Sequence, residues 1–244
     1  MNRILLILNT EKMHLLKQLK QKIRNNFIED KSRSTIAFLI VSKYLPERYF
    51  PITGGSIGLN SLCSILNDIS IHNRSSYLEL GAGLSTLVLA KYAKLNKPEM
   101  TIHSVEHNLK WINFLMNLAK AEKLEKIINF IHAPLCKCEY SIDGSLWYDV
   151  SVIKQSLGNL STESLLIDGP LAHRKEIEMS RYPALPVLHN HLDQNSIIFL
   201  DDACRKGEHK VRKKWAALYG LEFKPINKNT YFAAKGKLPY NFVP

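Results

Sequence analysis

Residues 77–86, Tyr-Leu-Glu-Leu-Gly-Ala-Gly-Leu-Ser-Thr, constrain the fold more than any other stretch of the chain. An apolar run that turns through two glycines and opens into a helical pattern reads as strand, tight turn and helix start. Such a unit belongs to open α/β sheets, where a nucleotide-like ligand lies over the turn. Gly81 and Gly83, with Ala82 between them, let the backbone bend and bring a ligand against bare amide groups. Two residues narrow the choice of ligand. A dinucleotide fingerprint places a third glycine where this chain has Thr86. Glu79 puts a negative charge before the turn, repelling a pyrophosphate and attracting a cation. S-adenosylmethionine carries an ammonium and a sulfonium, so the stretch predicts a site for it built on Glu79, Gly81, Ala82, Gly83, Ser85 and Thr86.

The rest of the chain supplies strands and helices in alternation. Leu15, Leu16, Leu19, Ile23 and Phe27 share a helical stripe within 11–27, and Ile36–Leu45 is a second apolar stretch. These features suit a helical extension over 1–50 that covers the sheet, forms a homodimer contact or lies on the substrate side, ahead of a domain over 51–244. Pro51 to Gly58 is a turn-rich connection in which Thr53 and Ser56 either bind a ligand carboxylate or cap the next helix, Asn60–Ile69. Strands are predicted at 77–80, Thr101–Glu106, Ile127–His132, Ser164–Ile167 and Ser196–Leu200. Leu84, Leu87, Val88, Tyr92 and Leu95 keep helical spacing after the glycines. A helix follows from about Pro183 to His191, and another carries Val211, Trp215, Leu218 and Tyr219. Runs at 221–226 and 230–234 joined by Asn227-Lys228-Asn229 read as a hairpin. The count is a doubly wound, mostly parallel seven-stranded sheet.

Ligands in such a sheet sit outside the carboxyl ends of the strands. Glu106 ends the second strand 23 residues after Gly83, where a carboxylate holds a ribose diol, with His107 beside it. The other reading of Glu106 is an acid at a helix N-terminus. The loop Ala133-Pro134-Leu135 falls beside the adenine, and in Trp147-Tyr148-Asp149 an aromatic, with Trp147 the candidate, stacks on a base, lines a substrate pocket or packs in the core. Asp168 ends the fourth strand, and Asp201 and Asp202 end the fifth. Three converging carboxylates need neutralising, and Mg²⁺ with oxygen ligands does so while activating an acceptor hydroxyl. The alternative is helix capping by Asp201 and Asp202, with Asp168 paired to Arg174, Arg181 or Arg205. Asp168 is thus a candidate for donor contact, metal binding and catalysis. His173 is a candidate base, and Arg174 and Arg181 either orient an anionic substrate or hold Asp168.

The formal charge of +11 arises from 33 Lys and Arg against 22 Asp and Glu. Basic residues concentrate in 1–33 and in 205–214, the latter with six against Glu208. The clusters suit an anionic partner such as nucleic acid, or equally a solvated helix face. Cys63, Cys136, Cys138 and Cys204 make no metal pattern or disulfide framework, which suits a reducing cytoplasm. The apolar run Ile4–Leu8 spans five residues, too short for a membrane span or signal core.

The motifs Glu79-Leu-Gly-Ala-Gly, Glu106, Asp168-Gly-Pro and Leu200-Asp-Asp-Ala resemble the class I S-adenosylmethionine-dependent methyltransferases over residues 52–236. The order of Asp168 and the Asp201-Asp202 pair is similar to the divalent-metal O-methyltransferases. The resemblance implies strand order 3-2-1-4-5-7-6, Glu79 and Gly81 near the methionine part, Glu106 on the ribose, and Mg²⁺ on the aspartates. Three positions depart from it: Leu171 where catechol-type enzymes have a lysine base, Asp202 where asparagine is frequent, and Ala133-Pro134 at the adenine contact. The function implied is Mg²⁺-assisted O-methylation of a small-molecule or sugar hydroxyl. Competing readings are a nucleic-acid methyltransferase using the basic patches and a donor-binding scaffold without catalysis. The first lacks an Asn/Asp-Pro-Pro-aromatic motif, and the second has no need of converging acids.

Overall fold

The computed structural model describes residues 31–238 and 240–243. Residues 31–41 form α1. There follow α2 (Leu59–Ile71), β1 (Ser76–Leu80), α3 (Leu84–Asn96), β2 (Thr101–Glu106), α4 (Leu109–Ala121), β3 (Ile128–His132), β4 (Leu135–Cys136) and β5 (Trp147–Tyr148). The second half contains α5 (Val150–Leu157), β6 (Thr162–Ile167), α6 (Ala184–Leu188), β7 (Leu192–Leu200), α7 (Lys206–Tyr219), β8 (Lys224–Pro225) and β9 (Tyr231–Ala234).

Seven strands make one sheet in the order β3-β2-β1-β6-β7-β9-β8, in which β9 runs antiparallel to both neighbours. Counted within this sheet alone the order is 3-2-1-4-5-7-6, as the sequence predicts. Side chains alternate between two cores, as a strand period of two requires. Tyr77, Leu166, Ile197 and Phe199 face one core with residues of α1 to α4. Leu78, Leu80, Leu165, Ile167, Ile198 and Leu200 face the other with residues of α5 to α7. The central strands are therefore apolar on both faces, the mark of a covered parallel sheet. Ala37, Val41 and Phe50 are buried in the first core, so residues 31–50 form part of the layer over the sheet. The predicted helix at 11–27 lies outside the described residues.

Register brings the strand ends level. Leu80 pairs with Val105 on one side and Ile167 on the other, and Ile167 pairs with Leu200. The residues that follow, Gly81, Glu106, Asp168 and Asp201, emerge side by side. Backbone bonds continue across the edge: Gly81 N donates to Val105 O at 2.9 Å, Asp168 N to Leu80 O at 2.9 Å, and Asp201 N to Ile167 O at 3.1 Å.

Three local features depart from the sequence reading. β4 and β5 form a separate two-stranded ribbon that the pattern does not predict, followed by α5, whose N-terminus Asp149 caps through Ser151 N and Val152 N. The helix expected over 183–191 is only Ala184–Leu188 with a 3-10 turn after it. The hairpin pairs over two residues of β8, and its loop is tied by Asn227 Oδ1, which accepts from Asn229 N and Thr230 N. Among the described residues no helix is long and apolar enough to cross a membrane.

At the opposite, amino-terminal edge a buried ion pair joins helix to sheet. Arg74 donates to both Asp68 oxygens, at 2.5 and 3.0 Å, and to the carbonyls of Glu163 and Asn195 at 3.1 and 2.9 Å. Arg74→Ala leaves Asp68 buried with His72 alone, and is expected to lower unfolding free energy by about 3–5 kcal/mol. Urea denaturation checks this, and a loss below about 1 kcal/mol would show that the pair carries little of the stability.

Candidate active site

The glycine turn is held from beneath. Glu79 is fully buried, and its carboxylate accepts from Ser85 Oγ at 2.7 Å, Ser104 Oγ at 2.7 Å and Thr86 Oγ1. Thr86 Oγ1 in turn accepts from Gly83 N at 2.9 Å, closing the first turn of α3. Thr86 thus replaces a glycine with a hydroxyl that staples the loop to Glu79. Burial raises the Glu79 carboxyl to about 7, although the three hydroxyls pull it back. Gly81 has φ +97°, and a Cβ there would lie 3.1 Å from the Asp168 backbone. Gly83 is extended, and a Cβ on it would meet nothing within 4 Å.

That open space belongs to a cavity of about 380 Å³ over the strand ends, a size suited to a small ligand. Gly81, Ala82, Gly83 and Ser85 line it from β1 and α3, Glu106 and His107 from β2, and Asp168, Gly169, Pro170 and Leu171 from β6. Phe50, Thr53, Ser56, Ile57, Trp111 and Tyr148 close its walls. Glu106 is buried, and its Oε1 accepts from His107 N at 2.8 Å and Asn108 N at 2.7 Å. Among the described residues no donor reaches Oε2. His107 Nδ1 lies 2.8 Å from the same Oε1, which raises the imidazole pKa against the effect of burial. Trp111 is anchored by Nε1 donating to Ala82 O at 2.8 Å.

Beside the cavity stands an acid cluster with an arginine at its centre. One oxygen from each of Asp168, Asp201 and Asp202 lies within 4.8 Å of the others. Arg181 is 2% exposed. Its Nη2 donates to Asp202 Oδ2 at 2.9 Å, Asp168 Oδ1 at 3.3 Å and Asp168 O at 2.9 Å. Its Nη1 donates to Asp201 O at 2.9 Å and its Nε to Pro170 O at 3.2 Å. Arg205 pairs with Asp202 at 2.8 Å, both arginines lie 3.7 Å from Glu208, and Thr230 Oγ1 donates to Asp201 Oδ1 at 2.5 Å. Four carboxylates against two guanidinium groups leave a formal charge of −2. Burial pushes the Asp168 carboxyl well above its ordinary range, with Arg181 opposing, and raises Asp201 and Glu208 in the same direction.

The structure brings most of the predicted site together and relocates part of it. Ser56, Gly81, Ala82, Gly83, Ser85, Glu106, His107 and Asp168 line the cavity. Glu79 and Thr86 do not; their groups are spent on each other beneath the turn. Pro134 is exposed and outside the lining, its carbonyl taken by Asp149 N at 2.9 Å. Trp147 is fully buried in the core, and its neighbour Tyr148 faces the cavity, because the ribbon strand alternates its side chains. Arg181 holds Asp168, the second of its two expected roles, and lies outside the cavity lining. His173 and Arg174 are exposed and lie outside the lining. Of the cavity's aromatic walls, the sequence pattern points to the 147–148 stretch, realised by Tyr148, and does not point to Phe50 or Trp111. For Trp111 the available signal was an aromatic in the first turn of the helix after Glu106.

No protein-family model matches the chain, and no curated protein matches it. Solved structures do. A caffeoyl-CoA O-methyltransferase-like protein of Staphylococcus aureus is similar with TM-score 0.56 and 13% identity, over 77% of this chain and 86% of that one. A methyltransferase of Podospora anserina bound to SAH has TM-score 0.56 and 13% identity, over 82% and 86%. An O-methyltransferase of Bacillus cereus in complex with SAH has TM-score 0.52 and 13% identity, over 84% and 91%. At that identity the likeness establishes the fold, which this chain shares with these methyltransferases.

The buried Glu79 generates a pH dependence. Its folded pKa, about 7, exceeds the ordinary 4.5. The stability it contributes is therefore complete below about pH 4.5 and lost as pH rises through about 7. Glu79→Gln removes the titration. The wild-type-minus-variant difference in unfolding free energy is expected to fall by about 3 kcal/mol across that window. Denaturant unfolding at stepped pH reads it, and a flat difference curve would place the proton elsewhere.

Proposed function

We propose that the chain is an S-adenosylmethionine-dependent methyltransferase that methylates a hydroxyl of a small molecule or sugar. The observation that carries this reading is the cavity where Gly81, Gly83, the unengaged Oε2 of Glu106 and Asp168 meet. Two proteins of the same fold, from Podospora and Bacillus, are bound to the demethylated donor SAH. The cavity suits such a ligand: Gly83 leaves room where a side chain would intrude, and the carboxylates at its rim suit a cation.

In this reading Glu106 receives the ribose diol through Oε2, while its Oε1 is fixed by two backbone amides. The Gly81–Gly83 backbone and the Thr53–Ser56 loop seat the amino-acid part. Asp168 orients the acceptor hydroxyl toward the sulfonium methyl. The acceptor hydroxyl gives its proton to the Asp168 carboxylate, and its oxygen forms a bond to carbon as the carbon–sulfur bond breaks, so that the sulfonium becomes a neutral thioether. Phe50, Ile57 and Trp111 keep water from the reacting atoms.

Mg²⁺ is the finer part of the proposal. The donor set fits a hard divalent ion: oxygen ligands only, a formal −2, and Asp168 Oδ2 and Asp202 Oδ1 free of hydrogen bonds from the described residues. Asp168, Asp201 and Asp202 would hold it, and when bound it supplies Lewis acidity toward the acceptor hydroxyl. The nucleic-acid reading gains no support from the basic run at 205–214. Arg205 and Lys210 are paired to Asp202 and Glu178, and Arg212 lies 3.7 Å over the ring of Tyr231.

Calorimetry tests the donor site. S-adenosylmethionine and S-adenosylhomocysteine are expected to bind the wild type, and Glu106→Ala to weaken both by about 10- to 100-fold through loss of a charged hydrogen-bond acceptor. Gly83→Val is expected to abolish binding with the melting temperature unchanged. Wild-type protein that binds neither ligand would end the reading. For the metal, millimolar MgCl₂ is expected to raise the melting temperature of the wild type and not of Asp201→Asn. No shift in the wild type would leave Arg181 and Arg205 as the cations of the acid cluster.

A further inference from the structure

Among the described residues, one buried hydroxyl in the cavity wall has no partner. Tyr148 is fully buried, lines the cavity, and its hydroxyl makes no hydrogen bond. A buried hydroxyl left unpaired is costly, and such a group calls for a water, an ion or a ligand to satisfy it. Its surroundings favour a ligand. A Cβ built on Gly169 would lie 2.2 Å from this oxygen and 3.1 Å from the backbone of Gly81. The phenol therefore sits against the junction of the two glycine-bearing loops that follow β1 and β6. Only glycine at 169 leaves it that place.

The ring also faces the second strand end. Its centroid is 6.3 Å from that of His107, which neighbours Glu106. Burial, and then the charge of Glu106, push the phenol well above its ordinary pKa, so it keeps its proton and acts as a donor. Among the described residues no acceptor takes that proton. Of the parts of an adenosyl ligand, the ribose is the one the proposed reading places at Glu106, and its hydroxyl and ring oxygens can each accept a hydrogen bond.

We propose that the Tyr148 hydroxyl donates a hydrogen bond to the ribose of the bound methyl donor, which makes Tyr148 a donor-positioning residue. The inference rests on the methyl-donor reading of the cavity and goes beyond it by assigning the ribose a second anchor, on a segment that carries none of the motif residues.

The test is calorimetry of wild type and Tyr148→Phe with two probes, S-adenosylhomocysteine and 5′-methylthioadenosine, together with the melting temperatures of the unliganded proteins. The second probe retains the ribose and lacks the amino-acid part. The variant is expected to bind both about 3- to 15-fold more weakly, as for a lost neutral hydrogen bond, with a melting temperature equal to or above that of the wild type. That melting result separates positioning from packing, since removing an unpaired buried hydroxyl relieves the free protein. Equal affinities overturn the proposal. A loss confined to S-adenosylhomocysteine also overturns it, by moving the contact to the amino-acid part. A lowered melting temperature overturns it by making Tyr148 structural. Wild-type protein that binds neither probe defeats the methyl-donor reading itself, an outcome distinct from the other three.

Discussion

The buried guanidinium of Arg181 is the constraint on which the site depends. It reaches the carbonyls of Asp168, Pro170 and Asp201 and the carboxylates of Asp168 and Asp202 at once. These contacts tie the loop after β6 to the loop after β7, which the sheet register alone would leave free beyond Ile167 and Leu200. A planar fork with five donors can do this where a lysine could not, because each donor has a fixed direction. Burying the charge is tolerable only because the acids around it outnumber it. The cluster that invites a metal is therefore also the cluster that needs its arginine.

A second clamp works on the neighbouring loop by different chemistry. Glu79 collects three hydroxyls, and through Thr86 it fixes the amide of Gly83. With Arg181 on one side and Glu79 on the other, the Gly81 and Gly169 backbones approach until a methyl group on either would crowd its neighbours. The floor of the cavity is thus main chain held from both sides. Tyr148 fits against it because neither position carries a side chain.

Much of this was legible in the sequence because it follows from local pattern. Alternating apolar runs and the Gly81–Gly83 turn place Glu106, Asp168 and Asp201 at strand ends, and the resemblance to the methyltransferases supplies the strand order. The rest depends on tertiary contacts that spacing does not encode. The choice between Trp147 and Tyr148 turns on the facing of a two-residue ribbon strand. The role of Arg181 turns on a loop folding back under β7. The exposure of His173 turns on the same connection passing through short 3-10 turns rather than a helix. A residue type can suggest a base or an anion clamp, and only the path of the loop decides whether it arrives.

The selection of a cationic ligand also has to be reassigned. Glu79 does not meet a ligand: its carboxylate lies beneath the turn, engaged by three hydroxyls, and lines no part of the cavity. The groups that meet a ligand are Glu106 and Asp168, which line the cavity at two of its strand ends. Behind Asp168 the acid cluster retains a formal −2 after its arginines are counted, at short range and with little water between, where a charge acts most strongly. A pyrophosphate entering over Gly81 would face that field directly, whereas a sulfonium would be drawn toward Asp168. In the proposed reading selectivity resides in the strand ends of β2, β6 and β7, and the carboxylate in the glycine motif is left the separate task of shaping the turn.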